Sequence, residues 1–170
     1  MIISAYKDKI PNIQESAKIF DGAVVVGDVL IHESVSIWYN TTIRGDMARV
    51  EIGKYTNIQD NAVIHTNTNL PTIIGHSVTV GHSAIIHAAT VKDHALIGMG
   101  SIILDGAVIS EYAMVGAGCL VPPGKIVPPR TLVLGNPMRI VRELTDEEIS
   151  NNNDNINHYL LLMKEYGLPK

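Results

Sequence analysis

Seven histidines punctuate the 170-residue chain: His32, His65, His76, His82, His87, His94 and His158. An imidazole near neutral pH serves as base, proton carrier or metal ligand, although a single histidine is more often a satisfied surface or half-buried residue. Spacing sets some of them apart. His65 follows Ile64, His87 follows Ile86, and the two histidines are 22 residues apart. Arg44 follows Ile43 in the same way, 21 residues before His65, and Asp60 precedes His82 by 22. If such partners lie one above another on adjacent strands, two imidazoles can reach one ion at Zn–N distances of about 2.0–2.1 Å. Three imidazoles with an open fourth position form a catalytic rather than a structural zinc site. Gln59, Asp60, Arg44 and Asp46 would then orient ligands from behind. Without the histidines they would read as turn residues and a surface ion pair.

The elements that must position these residues are legible in a period of six. Aliphatic residues recur at Ile19, Val25, Ile31, Ile37 and Ile43, at Ile52, Ile58 and Ile64, and at Ile74, Val80 and Ile86. The series continues through Val91, Ile97, Ile103, Ile109, Val115, Val121, Val127 and Val133. A small or β-branched residue often sits four on, as at Ala23, Val29, Val35, Ala62, Ala84 and Ala107. Six fits neither an amphipathic helix nor an alternating strand, but it fits short strands joined by corners, as in a parallel β-helix. Composition agrees: 23 Ile and 16 Val stand beside only 5% aromatic residues, which suits a thin, repetitive core and not the thick one of a sandwich or barrel.

The hexads resemble the left-handed β-helix of the hexapeptide-repeat superfamily, in which three hexads close a triangular coil of about eighteen residues. That implies roughly six coils between Ile19 and Val133. The phase breaks matter most. Ile43 to Ile52 is nine residues, Ile64 to Ile74 ten, and Ile86 to Val91 five. If the extra residues loop out, Arg44, His65 and His87 form one column over three coils, and Asp60 lies one coil from His82. His82, two residues after Val80, sits on the preceding face and would meet the other two only if a second subunit packed there. That arrangement implies a threefold assembly with metal between subunits.

The repeat ends in turn residues at Leu134–Pro137. Thr145-Asp-Glu-Glu148 reads as a capping box, and Ile149, Ile156, Leu160 and Met163 form a stripe at helical spacing. The expected organisation is a β-helix over 1–142 and a helix over 143–170 that packs on the solenoid and covers sheet edge. A net charge of −4 argues against a duplex nucleic-acid binder, and the single Cys119, at a core position, excludes an internal disulfide framework. With no signal-peptide core and no membrane-length apolar run, a cytoplasmic protein without membrane or nucleic-acid partners is expected.

Taken together, Ile43-Arg-Gly-Asp46, Asn57-Ile-Gln-Asp60 with His65, and Gly81-His82-Ser-Ala-Ile-Ile-His87 resemble the gamma-class carbonic anhydrase family. Ile97-Gly-Met-Gly-Ser101 and Gly135-Asn-Pro137 are similar too, so the resemblance spans essentially the whole chain. It implies a homotrimer with His65, His82 and His87 as ligands of Zn²⁺ (alternatively Fe²⁺ or Co²⁺). It also implies a trimer-supporting Arg44–Asp46 pair, and Gln59 and Asp60 beside the metal-bound solvent. Tyr159 is similar to a tyrosine that approaches the site in some members. The implied activity is reversible hydration of CO₂ to bicarbonate by a hydroxide whose formation the metal favours near pH 7. One departure bears on rate: the loop Thr66–Thr72 has no carboxylate where active members carry a proton-shuttle glutamate, so low activity is expected. His76 and His94 match no ligand and are expected at the surface. A CoA-dependent hexapeptide acyltransferase and a non-catalytic scaffold subunit are the rival readings.

Overall fold

The structure, a computed structural model, describes residues 1–166. The last four residues of the expected 143–170 segment therefore lie outside the described residues. The chain winds as a left-handed parallel β-helix of seven coils with three faces. The first face stacks Val25, Ile43, Ile64, Ile86, Ile103 and Val121 in register. The second stacks Ile31, Ile52, Ile74, Val91, Ile109 and Val127, and the third Ile37, Ile58, Val80, Ile97, Val115 and Val133. Eighteen of the nineteen hexad residues have 0–1% of their surface exposed, and Ile19, in the first coil, is half-buried. Ala23, Val35, Ala62, Ala84 and Cys119 fill the small positions. Only β-branched and small side chains fit this triangular interior.

The solenoid begins a coil earlier than the hexad series suggests. Ile3 pairs with Val25 and Ile13 with Ile31, so residues 2–19 form a coil of their own. The ten-residue step from Ile3 to Ile13 hides it in the sequence. Indeed, inward residues are six apart at two of the three corners in every coil, whereas the first-to-second corner spans ten, six, nine, ten, five, six and six. All variation in coil length is confined to that one corner. Elsewhere the coils nest tightly: a Cβ on Gly81, the residue before His82, would lie 2.7 Å from the Met99 amide nitrogen one coil on.

The helix runs Asp146–Tyr166 and opens on the expected capping box. Glu148 donates its amide to Thr145 Oγ1 (3.2 Å) while its carboxylate accepts the Thr145 amide (2.9 Å). Arg142 grips the same carboxylate, which with the Thr145 amide holds its pKa down to about 2. The helix packs on the third face through an aromatic cluster holding the only Phe and the only Trp of the chain. Phe20 stacks on Trp38 with ring centroids 4.4 Å apart, and Tyr159 and Tyr166 each meet the Trp38 ring at 5.5 Å. The helix does not close the last sheet edge; strand Arg139–Glu143 does, antiparallel to Thr131–Leu134. No described helix is long and apolar enough to cross a membrane.

Candidate metal centre

The column predicted from the phase breaks is present. Arg44 pairs with His65 and His65 with His87 on consecutive strands of the first face, at the edge of the variable corner. The three- and four-residue insertions loop out there. They are tied together where the Ala48 amide donates to Thr66 Oγ1 at 3.2 Å.

Hydrogen bonding fixes how these imidazoles face. His65 Nε2 donates to Asp46 Oδ1 at 2.9 Å, and the other Asp46 oxygen accepts from Arg44. Burial alone would raise the Asp46 pKa, but the bonds from His65 and Arg44 hold it below the ordinary carboxylate value. His87 Nδ1 donates to Asp105 Oδ1 at 2.5 Å, and Asp105 Oδ2 accepts from Asn67 Nδ2 at 2.6 Å. The bonds from Asn67 and then His87 lower the Asp105 pKa as well. His65 Nδ1 and His87 Nε2 approach each other to 3.1 Å, and where both ring protons lie on the carboxylate side these two nitrogens present lone pairs to one another. Two nitrogens bound at 2.0–2.1 Å around a tetrahedral ion stand about 3.3 Å apart, so the pair fits a shared divalent cation. Each imidazole is backed by a carboxylate, as metal-bound histidines usually are.

His82 stands at the opposite end of the same face. Four residues lie between it and His87, of which only Ile85 and Ile86 are strand, and five fully extended steps span about 16 Å. No three His, Cys, Asp or Glu among the described residues converge on one metal position. Its neighbourhood is nonetheless organised. His82 Nδ1 lies 2.9 Å from Asp60 Oδ2, and the side chain is 43% exposed. Gln59 is buried, its amide donating to Asn57 Oδ1 at 3.1 Å, and Asn57 donates to Thr79 Oγ1 at 3.0 Å. A groove of about 420 Å³ between this corner and the helix is lined by Gln59, His82, Met99, Met114, Asn155 and Tyr159. Burial and the nearby Asp60 charge raise the Tyr159 pKa, so its hydroxyl stays a donor. One chain thus holds these residues in two separate clusters: Arg44, Asp46, His65 and His87 at one corner, Gln59, Asp60, His82 and Tyr159 at another.

Sequence reasoning missed Asp105 and Asn67. Coil arithmetic passes Asp105 by, because the coil from Ile86 to Ile103 is 17 residues long and sets Leu104 over His87, with Asp105 one residue further into the turn; Asn67 sits in an insertion with no repeat to index it. His94 departs from its expected place at the surface. It stacks flat on Tyr112 at 4.6 Å, meets the edge of His76 at 4.9 Å, and keeps a buried Nδ1 without a partner. The cause is the helix, whose Asn152 donates to the His94 carbonyl at 3.0 Å.

The fold is that of a hexapeptide-repeat β-helix, and it carries two clusters of histidines and carboxylates. The chain is 56% identical over 148 residues to a carbonic anhydrase of Geobacillus kaustophilus, which covers 87% of this chain and 81% of that one. It is 44% identical over 149 residues to the mitochondrial gamma carbonic anhydrase 1 of Arabidopsis thaliana, covering 84% of this chain and 54% of that one. The crystal structure of a hexapeptide transferase family protein from Anaplasma phagocytophilum superposes with a TM-score of 0.94 at 42% identity, over 97% of this chain and 98% of that one. No family model matches. The chain belongs to the gamma-class carbonic anhydrase family.

Proposed function

We propose that the protein is a metal-dependent carbonic anhydrase that interconverts CO₂ and bicarbonate at the interfaces of a homotrimer. His65 and His87 of one subunit and His82 of the next would hold the ion, with zinc first and Fe²⁺ or Co²⁺ as alternatives. The observation that carries the reading is the pair of carboxylate-backed imidazoles whose free nitrogens face each other at 3.1 Å. A divalent ion bound there supplies the Lewis acidity that lowers the pKa of water toward neutrality.

The rest falls to side chains of this chain. Asp60, its carboxylate 2.9 Å from His82 Nδ1, would steady that imidazole for ligation through Nε2. Gln59, clamped by Asn57, presents a rigid amide to CO₂ or bicarbonate oxygen. Tyr159, on the helix, lines the groove with Met99 and Met114, where its hydroxyl would donate to an oxygen of the bound substrate. Arg44 neutralises Asp46 and so lets that carboxylate hold His65 without adding net charge. In the insertion loop, Asn67 is engaged with Asp105 and no carboxylate is present, so proton export depends on solvent or buffer.

Stopped-flow CO₂ hydration on protein of verified zinc content tests this reading. It predicts a rate above buffer that rises with buffer concentration; no rate at full occupancy contradicts it. The name of the Anaplasma phagocytophilum neighbour favours a second reading, transfer from a CoA thioester in the Gln59–Tyr159 groove. Saturable acetyl-CoA binding in a calorimetric titration would support that reading over the first.

A further inference from the structure

We propose that Asp105, braced by Asn67, is the positioning residue that sets the His87 tautomer and thereby leaves Nε2 free for the metal. The inference deepens the carbonic anhydrase reading and rests on it for the identity of the ion. An isolated neutral imidazole exchanges its proton between two nitrogens, and only the unprotonated one can ligate. His87 Nδ1 meets Asp105 Oδ1 at 2.5 Å, and the carboxylate cannot rotate away because its other oxygen accepts from Asn67 Nδ2 at 2.6 Å. The proton is therefore held on Nδ1, and Nε2 faces His65 Nδ1.

The coil geometry makes Asp105 suited to this task. It lies one residue beyond the position in register with His87 on the next coil, in the turn after strand Ile102–Ile103, where the chain runs at the plain hexad spacing. A rigid coil thus anchors it. Asn67 reaches it from the tip of the insertion loop, closed by the Asn67–Leu70 bridge. The loop that in active relatives is expected to carry a proton-shuttling carboxylate here serves to hold a ligand's partner instead.

The test uses full-length protein, with His87→Ala marking the His87 ring resonances, and reads two quantities. Long-range ¹⁵N–¹H spectra of the metal-free protein above pH 8 report which His87 nitrogen carries the proton, and competition with a chelator reports the Zn²⁺ affinity. The expected result is Nδ1–H in the parent and a shift toward Nε2–H in Asp105→Ala. Zn²⁺ affinity should fall roughly 10–100-fold, with an unchanged melting temperature. Asp105→Asn should keep part of the tautomer preference, and Asn67→Ala should lose affinity by a smaller factor. A His87 tautomer unmoved by Asp105→Ala overturns the inference whatever the zinc result. A tautomer shift in Asp105→Ala together with a parent that binds no Zn²⁺ upholds the positioning role and overturns the carbonic anhydrase reading instead.

Discussion

Two histidine pairs sit on neighbouring coils of this β-helix, and in only one is each imidazole hydrogen-bonded to a carboxylate with two ring nitrogens turned toward each other. His65 and His87 have ring centroids 5.0 Å apart; His76 and His94 are 4.9 Å apart, each pair meeting edge to face. Both have aspartates at hand, since His76 Nε2 lies 2.9 Å from Asp93 Oδ2. The difference lies in where the nitrogens point. In the first pair two carboxylates take the outer ring protons and turn two lone pairs toward each other. In the second, His94 lies flat on Tyr112 beneath the helix, with one nitrogen buried and unpaired. Proximity of imidazoles is cheap in a solenoid, because register supplies it; orientation has to be built by partners outside the column.

The largest effect should separate the pairs outright. His65→Ala or His87→Ala should reduce bound zinc to background in elemental analysis, while His76→Ala and His94→Ala leave it at the parent level. Truncating the core beneath each pair sharpens the contrast. Ile86→Ala, under His87, should cost about 2–5 kcal/mol in chemical denaturation and weaken zinc binding, because the cavity sits under a ligand-bearing strand. Val91→Ala, near His94, should cost less, in keeping with the smaller side chain, and leave zinc binding alone. Arg44→Ala should have an intermediate consequence: Asp46 loses its cation, and zinc affinity should fall several-fold with little change in melting temperature.

The smallest effect concerns pH. Burial first, then the charge of His76, lowers the His94 pKa below its ordinary value of 6.5. The unfolded chain then binds more protons than the folded one just below pH 6.5, so this group's contribution is complete above 6.5 and is lost as pH falls. His94→Gln should flatten the decline in melting temperature between pH 7 and 5.5, measured in chelator. An unchanged slope would mean that the helix does not sense that imidazole.

How much of this was legible follows from the same physics. The period of six, the Arg44–His65–His87 column and the capping box could be read because each is enforced by packing or by backbone hydrogen bonds that admit few residue types. The first coil was hidden because Ile3 and Ile13 straddle a ten-residue step, and only pairing in space restores their phase. Asp105 was missed because a carboxylate one coil above a histidine looks like any turn residue until its angle to the ring is known. The surroundings of His94 depended on where the helix docks. That docking is set by the Phe20–Trp38 stack, and no repeat announces it.

In the proposed trimer one working site needs two chains, with His65 and His87 from one and His82 from another. That requirement is tested most directly by mixing. His82→Ala and His87→Ala proteins, each alone, should hold no stoichiometric zinc and hydrate no CO₂. Unfolded together and refolded, they should recover zinc and stopped-flow CO₂ hydration up to a fraction of the parent value. This follows because a His87→Ala subunit still offers His82 to a neighbour whose His65 and His87 are intact. Mixed oligomers that form yet recover neither zinc nor hydration, or single variants that keep both, would contradict the shared site.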